Sequence, residues 1–234
     1  MGIGRYRSFR YFLKLIWQCT CDLKIYGEEN LVEEGPLIVA SNHASFFDPE
    51  LLGVCYRRPL SFMARESLFH NRGFSWFIRS VYAFPLSRGA DSKKALRMFE
   101  ERLKRDLAVV LFPEGTRSPD GHYRVSESAV GMLSVRSGAP VQPIYLMGTW
   151  HAWPRQQKWP GFRPLRAYIA PAIRPKPDMT RADKRDEQAR INREYETALL
   201  ALEKRAWAEY PADAEPRVEI PGALPAPAAE KPGA

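Results

Sequence analysis

His43 and Asp48 stand five positions apart in Ser41-Asn42-His43-Ala44-Ser45-Phe46-Phe47-Asp48-Pro49 and are the residues of this chain best spaced for acid–base chemistry. An imidazole whose second ring nitrogen is held by a carboxylate has a fixed tautomer and support for the charge it gains with a proton, which is what a general base needs. His43 would be the base and Asp48 its orienter. The apolar run Leu37-Ile38-Val39-Ala40 just ahead predicts a strand that delivers His43 onto a loop at the sheet edge, where open α/β folds place their reactive groups. Asp48, followed by Pro49 and Glu50, also reads as a helix start with Asp as cap and Pro at the first helical position. The two roles are compatible, and one such pair among four histidines needs support from elsewhere in the chain.

That support is Leu111-Phe112-Pro113-Glu114-Gly115-Thr116-Arg117-Ser118, directly after the apolar Leu107 to Val110. Together the two blocks resemble the glycerolipid acyltransferase family, whose best-known members are the 1-acylglycerol-3-phosphate (lysophosphatidate) acyltransferases. Phe84-Pro85-Leu86-Ser87-Arg88 resembles the family's second, arginine-bearing block, and Gly138-Ala139-Pro140-Val141-Gln142-Pro143-Ile144 the fourth. Ser61 to Phe69 is similar to the segment that follows the catalytic block, so the likeness runs from about Leu23 to about Ala170.

The resemblance implies transfer of a fatty acyl group from an acyl thioester, acyl-CoA or acyl carrier protein, to the free hydroxyl of a lysophospholipid. Its leading form is 1-acylglycerol-3-phosphate to phosphatidate. His43 would take the hydroxyl proton, with direct transfer and no covalent acyl-enzyme; no Ser or Cys stands in a nucleophile elbow. Arg88 and Arg117 are implied to grip the acceptor phosphate, guanidinium offering paired planar donors, although Arg88 beside Gly89 also reads as a plain exposed side chain. Gly115 permits close backbone approach in a turn, and Glu114 would accept from substrate hydroxyls or hold an arginine; a plain turn over Pro113-Glu114-Gly115 is the other reading. Asn42 and Thr116 are supporting members of their blocks, and Pro143 a strand residue that shapes the site by withholding a ladder hydrogen bond. Two departures bear on the acceptor: Glu127-Ser128-Ala129 stands where many members carry Lys, one residue, then Gly, and Arg65 where Lys is frequent. No metal and no cofactor beyond the thioester co-substrate is implied. Two readings of other classes are a metal-dependent phosphohydrolase liganded by His43, Asp48 and Glu114 and a non-catalytic basic membrane-binding protein.

A chain of 234 residues with 45% hydrophobic content suits one α/β domain with a substantial core. Thirty-five Lys and Arg against 27 Asp and Glu give +8, which favours an anionic partner; with the blocks above, this points to an anionic membrane surface and phosphorylated lipid rather than nucleic acid. Cys19, Cys21 and Cys55 form no closed disulfide set, which suits a reducing compartment. No stretch approaches the roughly 20 apolar residues of a membrane span, so a cytoplasmic protein held peripherally on its membrane is expected.

Residues 1–22 are expected to form a membrane-associating amphipathic helix, 23–210 the acyltransferase domain and 211–234 a disordered Pro/Ala-rich tail. The helix would insert Phe9, Phe12, Leu13, Ile16 and Trp17 and attract anionic headgroups through Arg5, Arg7, Arg10 and Lys14; packing against the domain is the alternative. Beyond it, strands at 23–26 and 37–40, a short helix after Pro49, an apolar Phe62-Met63-Ala64, a helix at 72–80 and a strand at Tyr82–Leu86 alternate. A helix at 91–105 capped by Asp91, a strand at Leu107–Phe112, a helix at 128–137, a strand at Val141–Leu146 and a long helix at 182–207 follow, giving a mainly parallel sheet flanked by helices. Between Glu127 and Asp178 no acidic residue occurs, while Arg155, Lys158 and Arg163 lie among Trp150, Trp153, Trp159 and Phe162. That mixture suits a lipid interface or an anionic acyl donor, or a basic loop packed on the domain.

Overall fold

A strand covered on both faces can be apolar at every position, and Leu37 to Ser41 is buried throughout. The computed structural model describes residues 3–80, 82–86, 92–124 and 129–210. In chain order it contains α1 (Ile3–Cys21), β1 (Lys24–Tyr26), β2 (Leu37–Ser41), α2 (Asp48–Cys55), β3 (Leu60–Arg65), α3 (Arg72–Ser80) and β4 (Ala83–Leu86). Then come α4 (Ser92–Leu103), β5 (Ala108–Leu111), α5 (Ala129–Ser137), β6 (Val141–Met147), the single turn α6 (Thr149–Ala152), β7 (Arg166–Ile169) and α7 (Asp183–Glu209). Arg88, Asp91, Glu127, Ser128 and the 211–234 tail lie outside the described residues.

Seven strands form one sheet in the order β1-β7-β6-β2-β5-β3-β4. From β6 to β4 all neighbours are parallel. β7 runs antiparallel to β6, and β1 parallel to β7, so this edge is reversed. Side chains of alternate residues feed two cores. Leu37, Val39 and Val110 pack with Trp17, Leu51 and Leu52 of α1 and α2; Ile38, Ala40 and Val109 pack with Phe99, Leu133, Ile191 and Tyr195 of α4, α5 and α7. The result is three layers, and each fully buried aliphatic side chain contributes roughly 1.5–3 kcal/mol.

Helix α7 shows how spacing sets a face. Glu187, Ile191, Tyr195 and Leu199 recur every four residues and are all buried, forming the apolar stripe of an amphipathic helix with Glu187 at its end. Glu187 is tolerated there because Arg190 pairs with it at 2.6 Å. Opposite this stripe α5 presents Gly131, where a Cβ would collide with the Gln188 carbonyl and the Asn192 side chain; glycine therefore sets how closely the two helices approach.

The expected N-terminal helix is present but is partly a core element. Tyr6, Trp17 and Cys21 are buried, Trp17 packs on Phe47 with ring centroids 5.6 Å apart, and Leu13 lies against the same cluster. Trp17 and Leu13 are thus turned into the domain, not outward as the membrane expectation required. Two of the cations are also engaged: Arg10 donates to the Val54 carbonyl at 2.7 Å and Lys14 pairs with Glu28 at 3.4 Å. The other face carries exposed Phe9, Tyr11, Phe12, Leu15 and Ile16.

Candidate active site

The sheet register puts the two motif loops face to face. Ala40 of β2 pairs with Leu111 of β5, and three residues further along each chain stand His43 and Glu114. The connection after β2 leaves toward α2 on one face of the sheet, and that after β5 toward α5 on the other. Such a reversal opens a crevice at the carboxyl ends of the strands. The two loops are tied across it through both main-chain polar groups of His43: its N–H donates to Glu114 Oε1 at 2.8 Å, and its carbonyl accepts from Ser118 N–H at 2.6 Å.

Within the first loop, Asp48 is fully buried. Its Oδ2 accepts from His43 Nδ1 at 2.8 Å and from the main-chain N–H groups of Ala44 and Ser45 at 2.7 Å each. Three donors on one oxygen fix the carboxylate and, through it, the imidazole. With Nδ1–H facing Asp48, Nε2 holds the free lone pair, and the His43 side chain remains 20% exposed. The ring is further held by Phe112, stacked with centroids 4.0 Å apart and planes at 16°.

The helix start also differs from the sequence expectation. α2 begins at Asp48 itself, its cap position is Phe47 without a side-chain bond, and Pro49 lies in the first turn. Asp48 is therefore no cap; its carboxylate turns back onto the loop. Ser45 provides a second tie, its hydroxyl donating to the Trp153 carbonyl at 2.8 Å and accepting from Phe47 N–H at 3.1 Å.

Glu114 acts on protein as well as facing the crevice. Burial pushes its carboxyl up to about 8; the His43 N–H opposes that shift and the neighbouring Asp48 charge adds to it. It sits in a turn closed by Gly115 N–H to the Phe112 carbonyl at 3.0 Å, and Gly115 adopts φ +67°, a conformation glycine enters without steric cost. Arg117 lies over the Phe46 ring, its guanidinium carbon 3.7 Å from the centroid, which places a cation beside the His43 loop. Thr116 is exposed at the tip.

The remaining expected residues are structural neighbours. Asn42 is buried and brackets Leu146, donating to its carbonyl at 2.9 Å and accepting from its N–H at 2.7 Å. Pro143, on β6, pairs with Ala40 of β2, and its carbonyl accepts from Ala170 N–H at 3.0 Å. Its nitrogen faces that same edge, in the gap between the β7 ladder and the isolated Val141–Ile173 bridge, where no N–H is required. Phe112, Ser45 and Ser118 were not singled out by sequence. Phe112 has one signal, its position one residue past a strand that ends at the site; an N–H donor such as Ser118 has none in its side chain.

Fold and site together define a class: an α/β protein with a carboxylate-held histidine at the switch point of its sheet and an arginine beside it. Residues 22–147 match the model of the Acyltransferase family, and the chain belongs to that family. It is 30% identical over 151 residues to a chloroplastic 1-acyl-sn-glycerol-3-phosphate acyltransferase of Brassica napus, covering 61% of this chain and 44% of that protein. It is 29% identical over 109 residues to the 1-acyl-sn-glycerol-3-phosphate acyltransferase of Bacillus subtilis, covering 46% and 55%. The chain thus spans about half the length of these curated relatives. Among solved structures, the 1-acyl-sn-glycerophosphate (LPA) acyltransferase PlsC of Thermotoga maritima superposes with a TM-score of 0.64 at 26% identity, covering 84% of this chain and 79% of that one.

Proposed function

We propose that the protein is a 1-acylglycerol-3-phosphate O-acyltransferase that forms phosphatidate from an acyl thioester, with His43 as general base. The observation that carries this reading is the His43 Nδ1 to Asp48 Oδ2 bond of 2.8 Å at the sheet's switch point, in a chain whose relatives carry that activity in their names. The acceptor hydroxyl attacks the thioester carbonyl as its proton passes to His43 Nε2. The tetrahedral intermediate then collapses, the carbon–sulfur bond breaks, and the proton returns from the imidazolium to the departing thiolate. Asp48 steadies the positive imidazole in both steps. Glu114 and Ser118 keep the His43 peptide from shifting, which matters because small misplacements of a base cost large factors in rate.

Direct transfer suits the surroundings of His43. Among the described residues no hydroxyl or thiol is hydrogen-bonded to it, and Cys55 is buried with its thiol pushed up to about 12. Arg117 is the described cation for the acceptor phosphate, with Arg88 proposed on its motif. A metal-dependent phosphohydrolase would need a cluster of ligating side chains, and among the described residues no group of three or more His, Cys, Asp or Glu is placed to hold a metal ion.

Acyl-CoA or acyl carrier protein is the proposed donor, and the acceptor is taken from an anionic membrane at the cytoplasmic face. No helix among the described residues is long and apolar enough to cross a membrane; the outward Phe9, Phe12 and Ile16 of α1 supply a peripheral contact. The test is incubation of purified protein with labelled acyl donors and a panel of lysophospholipids. Phosphatidate from 1-acylglycerol-3-phosphate supports the reading, and a product from another headgroup alone replaces the acceptor.

A further inference from the structure

Beyond β6 the chain forms an ordered loop whose tip faces solvent. Gly161 N–H donates to the Ala152 carbonyl at 2.7 Å, Gln157 N–H to the Pro154 carbonyl at 3.2 Å, and Trp153 Nε1 to the Gln157 carbonyl at 3.2 Å. From this closed framework Trp159 and Phe162 project at 72% and 76% exposure. Burying either ring against the domain would have been favourable, yet the framework holds both out. Exposed Arg155 and Lys158 and half-buried Arg163 flank them, with no acidic residue anywhere between Glu127 and Asp178.

The base of this loop is built into the catalytic loop. Ser45 donates to the Trp153 carbonyl and bridges to Pro154. The Trp153 ring lies 4.9 Å from Phe46 and 5.2 Å from Phe47, and the exposed Phe46 ring also carries Arg117. Gln156 reaches the Pro119 carbonyl at 3.2 Å, tying in the second motif loop. Whatever surface Trp159 and Phe162 meet is therefore held at a fixed position relative to His43.

We infer that the Arg155–Arg163 loop is an interfacial anchor that seats the mouth of the site on an anionic lipid bilayer through Trp159 and Phe162, with its cations on the headgroups. Indole and phenyl rings settle at headgroup depth, and cations near an anionic leaflet add attraction that salt screens. An acidic protein could also be gripped through the rings, so binding to vesicles that contain no protein separates the two partners. The inference rests on the acyltransferase reading for its purpose, delivery of a bilayer-embedded acceptor to His43, but its binding assay needs no turnover.

The full chain and a Trp159→Ala/Phe162→Ala variant are sedimented with vesicles of equal parts phosphatidylcholine and phosphatidylglycerol, with thermal melting as the folding control. The variant should bind about tenfold more weakly or less tightly still, while an Arg155→Gln/Lys158→Gln/Arg163→Gln variant should lose most of the salt dependence. With 1-acylglycerol-3-phosphate in the same vesicles, the ring variant should show a raised apparent KM, with kcat on detergent-dispersed acceptor unchanged. Undiminished sedimentation of the ring variant overturns the inference, as does lost turnover with undiminished sedimentation, which would give the loop to a protein donor. Weakened sedimentation in a protein that transfers no acyl group would uphold the anchor and remove the acyltransferase reading instead.

Discussion

At the scale of single residues the site is a set of braces around one imidazole. Glu114 is the brace with a pH signature. Its carboxyl keeps a proton up to about 8 when folded, against 4.5 ordinarily, so folding retains a proton that the unfolded chain would release. The stabilising contribution is then complete below about pH 4.5 and lost as pH rises through about 8. Glu114→Gln keeps an oxygen for the His43 N–H and cannot ionise. Its melting temperature should fall less than the parent's between about pH 5 and pH 8, by about 2–4 °C for each kcal/mol no longer lost; parallel melting curves would assign the parent's slope to another group. Arg117 makes a separate prediction. A guanidinium pairing with phosphate contributes about 1.5–3 kcal/mol, so Arg117→Ala should raise KM for 1-acylglycerol-3-phosphate about 10- to 100-fold and leave an acceptor without phosphate nearly untouched. Equal effects on both acceptors would make Arg117 a structural cation on Phe46. The pairing of His43 with Asp48 was legible in sequence because both partners lie in one short segment. The bond from Glu114 to the His43 main chain was not, because it depends on a register between strands separated by 71 positions.

At the scale of elements, strands and helices carry the loops with little freedom. β2 and β5 were readable as unbroken apolar runs, and α7 as a four-residue stripe, because burial on two faces and on one face leave different periodicities. β7 was not foreseen: only four residues long, it opens with Arg166, a charge that is buried here because Asp22 pairs with it at 2.6 Å. Nor does any periodicity record strand direction, so the reversed β1–β7 edge had no signal. α1 was readable as amphipathic, but its two apolar sides were not distinguished. Only the fold shows Trp17 turned inward and Phe12 outward. The α5–α7 contact offers a direct test of packing. Gly131→Ala must push α5 away from the Gln188 carbonyl, a form of overpacking that costs about 1–3 kcal/mol. The variant should melt lower by roughly 2–4 °C per kcal/mol, with KM for both substrates unchanged because α5 supplies no site residue. A melting point equal to the parent's would show that the two helices can separate freely.

For the whole molecule, the arrangement joins a three-layer core to a site assembled from loops at the carboxyl ends of the central strands β2 and β5, with exposed aromatic residues beside it. The net charge of +8 favours anionic partners. What the account requires above all is that His43 removes the acceptor's proton. A general base acts on the transition state and contributes little to ground-state binding, and its loss typically costs about 10²–10⁴ in rate. The direct measurement is steady-state transfer of a labelled acyl group to 1-acylglycerol-3-phosphate by the parent and by His43→Ala, with acceptor binding measured on both. The account predicts kcat lowered by that factor, with acceptor affinity within about twofold of the parent; turnover near the parent's in His43→Ala would contradict it.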